Sequence, residues 1–377
     1  MHVACIITSF TAGGAEMLVG NLAEAFVANG HDATVIALSD AATLGNDEAI
    51  ERAMMARLRE VGVTAKSLRL RNRRDPVAGA RALRSALADR APDMIHTHTA
   101  AALPAIALAR MRCPVVLTHH NSRLSFPPFA YRLFDRIVAA YVAISDQCAQ
   151  QTRRHARKPI RAIPNAANPR FRASAPRTTP ARNPVVLAVG TISEQKDYAT
   201  LIRAVRPLAE RLAATGRRPC IRIAGGGDAI DELRALAAEQ GVEDIVDLLG
   251  PRSDVQALMA EADVFANASL WEGFSIAMIE ASMSALPLVA TDVAGNCEMV
   301  LPGRNGMLVQ PRDPDALADA LARVVTDPAL YAALSAGSLA SASRFSIDRC
   351  AAAHLALYRD VIAQARSRLA IGRSVLG

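Results

Sequence analysis

The sequence predicts an α/β protein built from two doubly wound parallel sheets, one in each half of the chain. Strand-like apolar runs alternate with amphipathic helix-like segments, a pattern typical of parallel sheets wrapped by helices. The alternation stops at a proline-rich stretch, SAPRTTPARNP, and then restarts. A chain of 377 residues is also too long for one typical core, so we expect two domains.

The first predicted strand and helix are joined by a glycine turn. MHVACIITSF is apolar but short and lacks a basic leader, so it predicts a buried strand rather than a targeting signal. The helix that follows Gly14 places Leu18, Leu22 and Phe26 on one face and ends at Gly30. DATVIALS then predicts the second strand.

Two later strands of the first half end in polar side chains. A helical, basic segment over 41–89 precedes the strand PDMIHTH, and an alanine-rich helix over 100–110 precedes the strand PVVLTHHN. Ligands of doubly wound sheets bind beyond the carboxyl ends of the strands. The candidates there are His96, His98, His119, His120 and Asn121. Alternatively, these histidines cap the strands; the spacing of two also suits a metal, but no third ligand is evident.

The second half repeats the alternation after the proline-rich stretch. We expect domains over 1–170 and 185–345, a linker over 171–184 and a final helix within 346–377. The predicted strands are PVVLAVG, CIRIAGGG, IVDLLG, VFANASL and PLVATDV, with helices between them.

The segment NASLWEGFSIAMIEASMSALP brings two carboxylates to one helix start. If the helix begins near Ser275, Glu272 precedes it and Glu280 lies more than a turn inside. The first N–H groups of a helix have no partner within it and suit an anion. The predicted donors are those of Gly273, Phe274, Ser275 and Ile276. The alternative is that both carboxylates are solvated surface groups.

WEGFSIAMIEASMSALPLVATDVAGNCEMV resembles the donor-binding segment of the retaining family 4 glycosyltransferases. The shared pattern is E-G-F with seven residues between its glutamate and the next one, followed by a G-G-x-x-E loop in which Ala294 replaces the first glycine. The resemblance implies the GT-B architecture, two facing Rossmann-like domains with a cleft between them, and a last helix that crosses back to the N-terminal domain. It implies transfer of a hexose from a nucleotide diphosphate sugar, with Glu280 on the ribose and Glu272 on the sugar.

The same resemblance implies roles for residues outside that segment. Gly14 lies in the family's opening loop near donor phosphate and acceptor, and His120 is the histidine near the reacting sugar, with His96 and His98 as second choices and Asn121 beside them. Lys196 binds the diphosphate. Thr191 stands where the family has arginine, so another cation such as Arg252 is expected to substitute. Gly295 and Asn296 are expected to offer backbone N–H groups.

The resemblance also implies catalysis without a metal and without a cofactor. Metal-dependent transferases, which are marked by a D-x-D ligand motif, have the other common architecture. Other interpretations are a catalytically weak or silent sugar-nucleotide-binding protein, which Thr191 favours, and a GT-B epimerase. A phosphorylase would need a pyridoxal lysine, which no motif marks. The six scattered cysteines are expected to be reduced, as in a cytoplasmic protein.

Positive charge is concentrated in the first half. Residues 1–170 hold 22 Lys and Arg against 13 Asp and Glu, whereas the rest hold 21 against 23. Aromatic and basic residues interleave over 123–138, a combination that suits an anionic membrane surface. We therefore expect peripheral binding at the inner face of the membrane and a lipid-linked or growing saccharide as acceptor. Nucleic acid is not expected, because no binding motif accompanies the charge. The alternative is that the arginines are solvated and the aromatics are core.

Overall fold

The computed structural model describes residues 1–124 and 126–374, without the side chains of 368–374. It divides into two compact units, one of Met1–Asn165 with Ile347–Gly377 and one of Ala166–Ser346. Each unit contains one parallel sheet with helices between successive strands. The predicted α/β class with two doubly wound sheets is confirmed.

The first unit contains a seven-stranded sheet. Its strands are β1 (His2–Ile7), β2 (Asp32–Ala37), β3 (Thr64–Ser67), β4 (Met94–Thr97), β5 (Val115–His119), β6 (Ala140–Ala143) and β7 (Ile160–Ala162). Their order is β3-β2-β1-β4-β5-β6-β7. The order reverses between β1 and β4, so the loops after these strands flank a topological switch point. β1 is buried along its whole length, as its continuous apolar run predicts.

Six helices follow these strands: α1 (Gly14–Ala28), α2 (Glu48–Glu60), α3 (Pro76–Ala86), α4 (Leu103–Ala109), α5 (Ala130–Phe134) and α6 (Asp146–Arg153). The segment 41–89 is therefore not helical throughout: β3 separates α2 from α3 and pairs with β2. Its sequence, TAKS, is short and mostly polar, so periodicity does not reveal it.

The second unit contains a six-stranded sheet. Its strands are β8 (Val185–Val189), β9 (Cys220–Ala224), β10 (Val246–Gly250), β11 (Val264–Asn267), β12 (Leu288–Thr291) and β13 (Gly306–Val309). Their order is β10-β9-β8-β11-β12-β13, which reverses between β8 and β11. The helices are α7 (Tyr198–Ala213), α8 (Ile230–Glu239), α9 (Val255–Glu261), α10 (Ile276–Met283), α11 (Ala294–Cys297), α12 (Pro314–Thr326) and α13 (Pro328–Ala342).

The stretch 171–184, expected to be a linker, lies within the second unit. Arg177 attaches it there, because its guanidinium donates to the carbonyl oxygens of Met259 at 2.9 Å and Ser284 at 3.4 Å. The backbone N–H of Ala181 also donates to the Asp263 carboxylate at 2.8 Å. Polar contacts thus order a stretch that has few apolar residues to bury.

The last helix, α14 (Ile347–Ser374), groups with the first unit and packs on α1. The rings of Phe26 and Tyr358 meet edge to face with centroids 5.8 Å apart. All six cysteines are free, and Cys5, Cys148 and Cys350 are buried. Over the described residues, no helix combines the length and the apolar character that crossing a membrane requires.

Candidate functional site

The switch point of the second sheet carries Lys196 and Glu272, on the loops that follow β8 and β11. The two loops are joined by a backbone hydrogen bond of 2.8 Å from Leu270 N–H to the Gln195 carbonyl. Because ligands of open α/β sheets bind where the strand order reverses, this pair of loops is the first place to look for a site.

Lys196 Nζ and Glu272 Oε1 form a salt bridge. Only 16% of the lysine side chain and 5% of the glutamate side chain are exposed. Ser269 Oγ donates to the same carboxylate oxygen at 2.8 Å, and Gln195 Nε2 donates to Oε2 at 3.4 Å. A buried charge is costly without such partners, and Glu272 has three. The two residues predicted for the diphosphate and for the sugar therefore contact each other in this structure.

A buried polar network supports the loop that carries Glu272. Thr291 Oγ1 donates to the Ser269 carbonyl at 2.5 Å, and Asn296 Nδ2 donates to Asn267 Oδ1 at 3.3 Å and to the Thr291 carbonyl at 3.0 Å. The sequence did not indicate this network. The backbone N–H of Asn296 was expected to be available to a ligand, but it already donates to the Val293 carbonyl at 2.8 Å.

Glycines let the loops of this site approach each other closely. A Cβ on Gly225 would lie 1.9 Å from the carbonyl oxygen of Gly190, and one on Gly295 would lie 2.7 Å from that of Glu272. Both distances are far inside van der Waals contact, so no larger residue fits without a backbone shift. Because Gly295 has no side chain, the N-terminal turn of α11 packs directly against the loop that carries Glu272.

Glu280 lies inside α10 and is buried, with 9% of the residue exposed. Its side chain has no hydrogen-bond partner in the described part of the chain. Burial raises the pKa of its carboxyl to about 8, against an opposing effect of the Arg170 charge. A buried acceptor left without a protein partner is a ready contact for ligand hydroxyls.

The N-terminus of α10 lies between the two glutamates in sequence. The helix begins at Ile276, close to the predicted start near Ser275, and the Ser275 hydroxyl caps it by accepting from the Met278 N–H. Within the described residues, the backbone N–H groups of Gly273, Ser275 and Ile276 donate to no protein acceptor. The side chain of Phe274 packs against Phe345, with ring centroids 5.3 Å apart. This helix start can therefore bind an anion.

The two remaining predicted donor-binding residues are Thr191 and Arg252. Thr191 is exposed on the loop after β8. Arg252, on the loop after β10, donates through Nε to Asp254 at 2.7 Å, and this hydrogen bond raises the pKa of the guanidinium. Arg252 would have to leave Asp254 in order to replace the arginine that Thr191 lacks.

One D-x-D string occurs in the chain, at Asp313 and Asp315. Asp313 caps α12 by accepting from the Ala316 N–H at 2.9 Å, and Asp315 pairs with Arg211 at 3.4 Å. These contacts give the string a structural role. Among residues 1–124 and 126–374, no three His, Cys, Asp or Glu side chains are grouped so that they could hold a metal ion.

The predicted acceptor-side histidines follow β4 and β5 in the first unit. His98 Nδ1 and His120 Nε2 form a hydrogen bond of 2.9 Å. His96 instead lies in the core, where its ring nitrogens bond to Tyr358 Oη at 2.5 Å and Thr118 Oγ1 at 2.7 Å. The structure therefore separates His96, whose nitrogens are both used by the protein, from the half-buried pair.

The remaining predictions for the first unit concern Asn121 and Gly14. Asn121 Oδ1 accepts the Arg123 N–H at 3.1 Å and so shapes the loop after β5. Gly14 is exposed and is the first residue of α1, where the loop after β1 ends at the switch point. Both residues lie at the carboxyl edge of the first sheet.

Residues 12–171 match the family described as Glycosyltransferase Family 4, and residues 183–327 match the family described as Glycosyl transferases group 1. Together the two matches cover most of the chain. The chain belongs to the family 4 glycosyltransferases.

Relatives and solved structures agree with this membership. The D-inositol 3-phosphate glycosyltransferase of Saccharomonospora viridis is 36% identical over 190 residues, which are 48% of this chain and 44% of that protein. The chain thus matches under half the length of this curated relative. HepE of Anabaena, solved with UDP and glucose, aligns with a TM-score of 0.74 at 21% identity over 98% of this chain and 99% of its own. A glycosyltransferase from Rickettsia africae aligns with a TM-score of 0.77 at 16% identity over 96% and 98%.

The likeness to these structures and the two sheets identify the fold of this family member as GT-B. The second unit brings together Lys196 and Glu272, with the α10 N-terminus and Glu280 following on the same stretch of chain. The ligand roles of all these residues remain predictions. Sequence reasoning missed Ser269 and the network beneath it; the one available signal was a hydroxyl three residues before Glu272.

Proposed function

We propose that this protein is a retaining, metal-independent glycosyltransferase that moves a hexose from a nucleotide diphosphate sugar to a saccharide acceptor. The observation that carries the proposal is the pair of buried glutamates on either side of the α10 N-terminus, with Lys196 held against one of them. Two acceptors for hydroxyls and a cluster of donors for an anion match a sugar, a ribose and the diphosphate between them.

Each group then has one part of the donor to bind. Glu280 accepts from the ribose hydroxyls and Glu272 from the hydroxyls of the transferred sugar. Lys196 and the N–H groups of Ser275 and Ile276 neutralise the diphosphate, the work that a metal ion does elsewhere. His120 contacts the sugar from the acceptor side. HepE, which shares the fold, was solved with UDP and glucose, and UDP-sugars are therefore the first donors to test.

The reaction proposed is front-face displacement. The acceptor oxygen bonds to the anomeric carbon on the face from which the diphosphate leaves, so the configuration is retained. A phosphate oxygen of the leaving group takes the acceptor proton. Within this scheme Lys196 stabilises the negative charge that develops on the diphosphate as the bond breaks.

The proposed acceptor is a lipid-linked or growing cell-surface saccharide, reached from the cytoplasm by peripheral docking on an anionic membrane. The charge excess of the first half supports this. So do Phe129 and Leu133, which expose 71% and 54% of their surface beside the exposed Arg132 and Arg136. Tyr131 and Phe134 of the same segment are buried, so the docking surface is smaller than the sequence indicated.

A second candidate is a sugar-nucleotide-binding protein with little or no turnover. The specific observation in its favour is that Thr191 replaces a cation while Lys196 is already paired with Glu272. In that case donors bind but no nucleoside diphosphate is released.

The test is incubation with a panel of nucleotide sugars and saccharide acceptors, with and without EDTA, followed by assay of released nucleoside diphosphate. We expect release that survives EDTA, with retained anomeric configuration in the product. The Glu272→Gln variant should lose turnover, whereas Glu239→Gln, on the exposed face of α8, serves as the matched control. Binding without release by the wild type would favour the second candidate, and activity restored only by magnesium would refute the metal-independent scheme.

A further inference from the structure

His98 and His120 are hydrogen-bonded to each other through one nitrogen of each ring, which leaves the second nitrogen of each ring for other partners. Their inner nitrogens, His98 Nδ1 and His120 Nε2, lie 2.9 Å apart with ring planes 22° apart. This separation is shorter than contact between stacked rings allows, so it is a hydrogen bond. The outer nitrogens, His98 Nε2 and His120 Nδ1, are buried and have no partner within the described residues.

The surroundings keep both rings neutral. Burial lowers the pKa of His98 well below its ordinary value and that of His120 to about 3. Protonated neighbours would repel them further, since His96 and His354 lie in the same cluster, with ring centroids 5.3 Å apart. A neutral imidazole carries one proton on one of its two nitrogens.

The hydrogen bond therefore couples the two rings. If His98 Nδ1 holds the shared proton, His120 Nε2 accepts it and His120 must carry its own proton on Nδ1. If His120 Nε2 holds it, His98 must carry its proton on Nε2. In both arrangements the rings share one tautomer, and the two outer nitrogens present one donor and one acceptor.

We propose that His98 is a positioning residue: through this hydrogen bond it ties the tautomer of His120 to its own, so that the pair presents one donor and one acceptor to a hydroxyl-bearing ligand. A sugar hydroxyl both donates and accepts and so suits either arrangement. The effect on turnover rests on the proposed function, in which His120 contacts the reacting sugar. The coupling between the two rings does not.

Nitrogen-15 NMR of the histidine-labelled full chain tests the coupling directly, because protonated and bare ring nitrogens differ widely in chemical shift. We expect His98 and His120 to show the same tautomer in the wild type, and His120 to become a mixture in His98→Phe. Thr118→Val, which removes a hydrogen bond from His96 and leaves the pair intact, is the control and should leave His120 unchanged. Opposite tautomers in the wild type, or an unchanged His120 in His98→Phe, would overturn the proposal.

Kinetics then test the positioning role. His98→Phe should lower kcat about tenfold, the factor expected for one lost neutral hydrogen bond, with KM for the donor nearly unchanged. His98→Asn should recover most of the loss, because its amide can still hydrogen-bond to His120 Nε2 and hold that ring in place. Equal loss in the Phe and Asn variants would mean a merely structural role. If no donor is turned over by the wild type, the proposed function fails while the NMR outcome still decides the coupling.

Discussion

Glu272 and Glu280 are both buried carboxylates, but the protein compensates them differently. Glu272 has Lys196, Ser269 and Gln195 around it, whereas Glu280 has no hydrogen-bond partner in the described part of the chain. Burial alone therefore dominates at Glu280 and raises its pKa to about 8. Near neutral pH Glu280 is therefore mostly protonated. A ligand whose hydroxyl groups donate hydrogen bonds to this carboxyl favours its ionised form.

The first prediction concerns proton release when a nucleotide binds. Hydroxyl donors stabilise the carboxylate and lower its pKa, so binding at pH 7 should release about one proton from Glu280. UDP affinity should therefore increase as the pH rises toward 8 and then level off. Calorimetry in two buffers of different ionisation enthalpy measures the released protons.

Glu280→Gln is the matched variant, because it keeps the shape of the side chain but cannot ionise. The ionisation of the UDP phosphates is common to both proteins, so the difference between them isolates Glu280. Equal proton release by the wild type and Glu280→Gln would rule out the ribose role.

The second prediction concerns the shielded salt bridge. Lys196→Met leaves Glu272 buried without its cation and should lower the free energy of unfolding of the second unit by about 3 kcal/mol. Adding Glu272→Gln should restore most of this loss, because the uncompensated charge is removed. Denaturant unfolding followed by the fluorescence of Trp271, the single tryptophan, reports the change. Arg203→Met, on the exposed face of α7, is the control, and purely additive losses in the double variant would contradict the coupling.

At the residue scale the sequence indicated candidate side chains but not the residues that these side chains contact. Lys196 was predicted from the resemblance to the family 4 glycosyltransferases, and Glu272 and Glu280 from that resemblance together with their spacing around a helix start. Their partners were not: Lys196 and Glu272 are 76 positions apart, and Asn296 reaches Asn267 across 29. Such contacts depend on which strands lie side by side and on the paths of their loops, which local sequence patterns do not reveal.

At the scale of elements, the tight seat of α11 on the Glu272 loop gives a third prediction. Gly295→Ala would place a Cβ 2.7 Å from the Glu272 carbonyl and 2.8 Å from that of Gly273, so the loop must move. We expect a loss of about 1–3 kcal/mol in stability, typical of overpacking, and a fall in UDP affinity. Cys297→Ala, on the same short helix and exposed, should change neither, as thermal unfolding with and without UDP would show. If Gly295→Ala were as stable as the wild type and bound UDP as tightly, the close packing of α11 on the Glu272 loop would not be required.

Long, periodic helices and strands were predicted more reliably than short ones. The end of α1 and the start of α10 were predicted to within two residues, because a helix of two or more turns repeats its apolar spacing. The short α5 and β3 were not predicted, since their five and four residues give no period to detect. For the same reason the proline-rich stretch 171–184 could not reveal that Arg177 ties it to the second unit.

For the whole molecule, the uneven charge of the two halves suggests where it works. The exposed apolar side chains of Phe129 and Leu133 lie on or beside α5 with the exposed Arg132 and Arg136. Apolar groups enter the membrane interface, while each arginine near an anionic surface adds about 1 kcal/mol. Either contribution alone is weak, so docking should require both.

The final prediction follows from that requirement. The protein should co-sediment with anionic vesicles but not with neutral ones, and salt should release it, because screening weakens the arginine contribution. Phe129→Ser with Leu133→Ser should reduce binding to anionic vesicles, and so should Arg132→Gln with Arg136→Gln. Val77→Ser with Leu108→Ser, which removes two comparably exposed apolar side chains from α3 and α4, should not. Equal indifference to both kinds of vesicle would make a soluble saccharide the better acceptor, and equal binding by all three double variants would place the docking surface elsewhere in the chain.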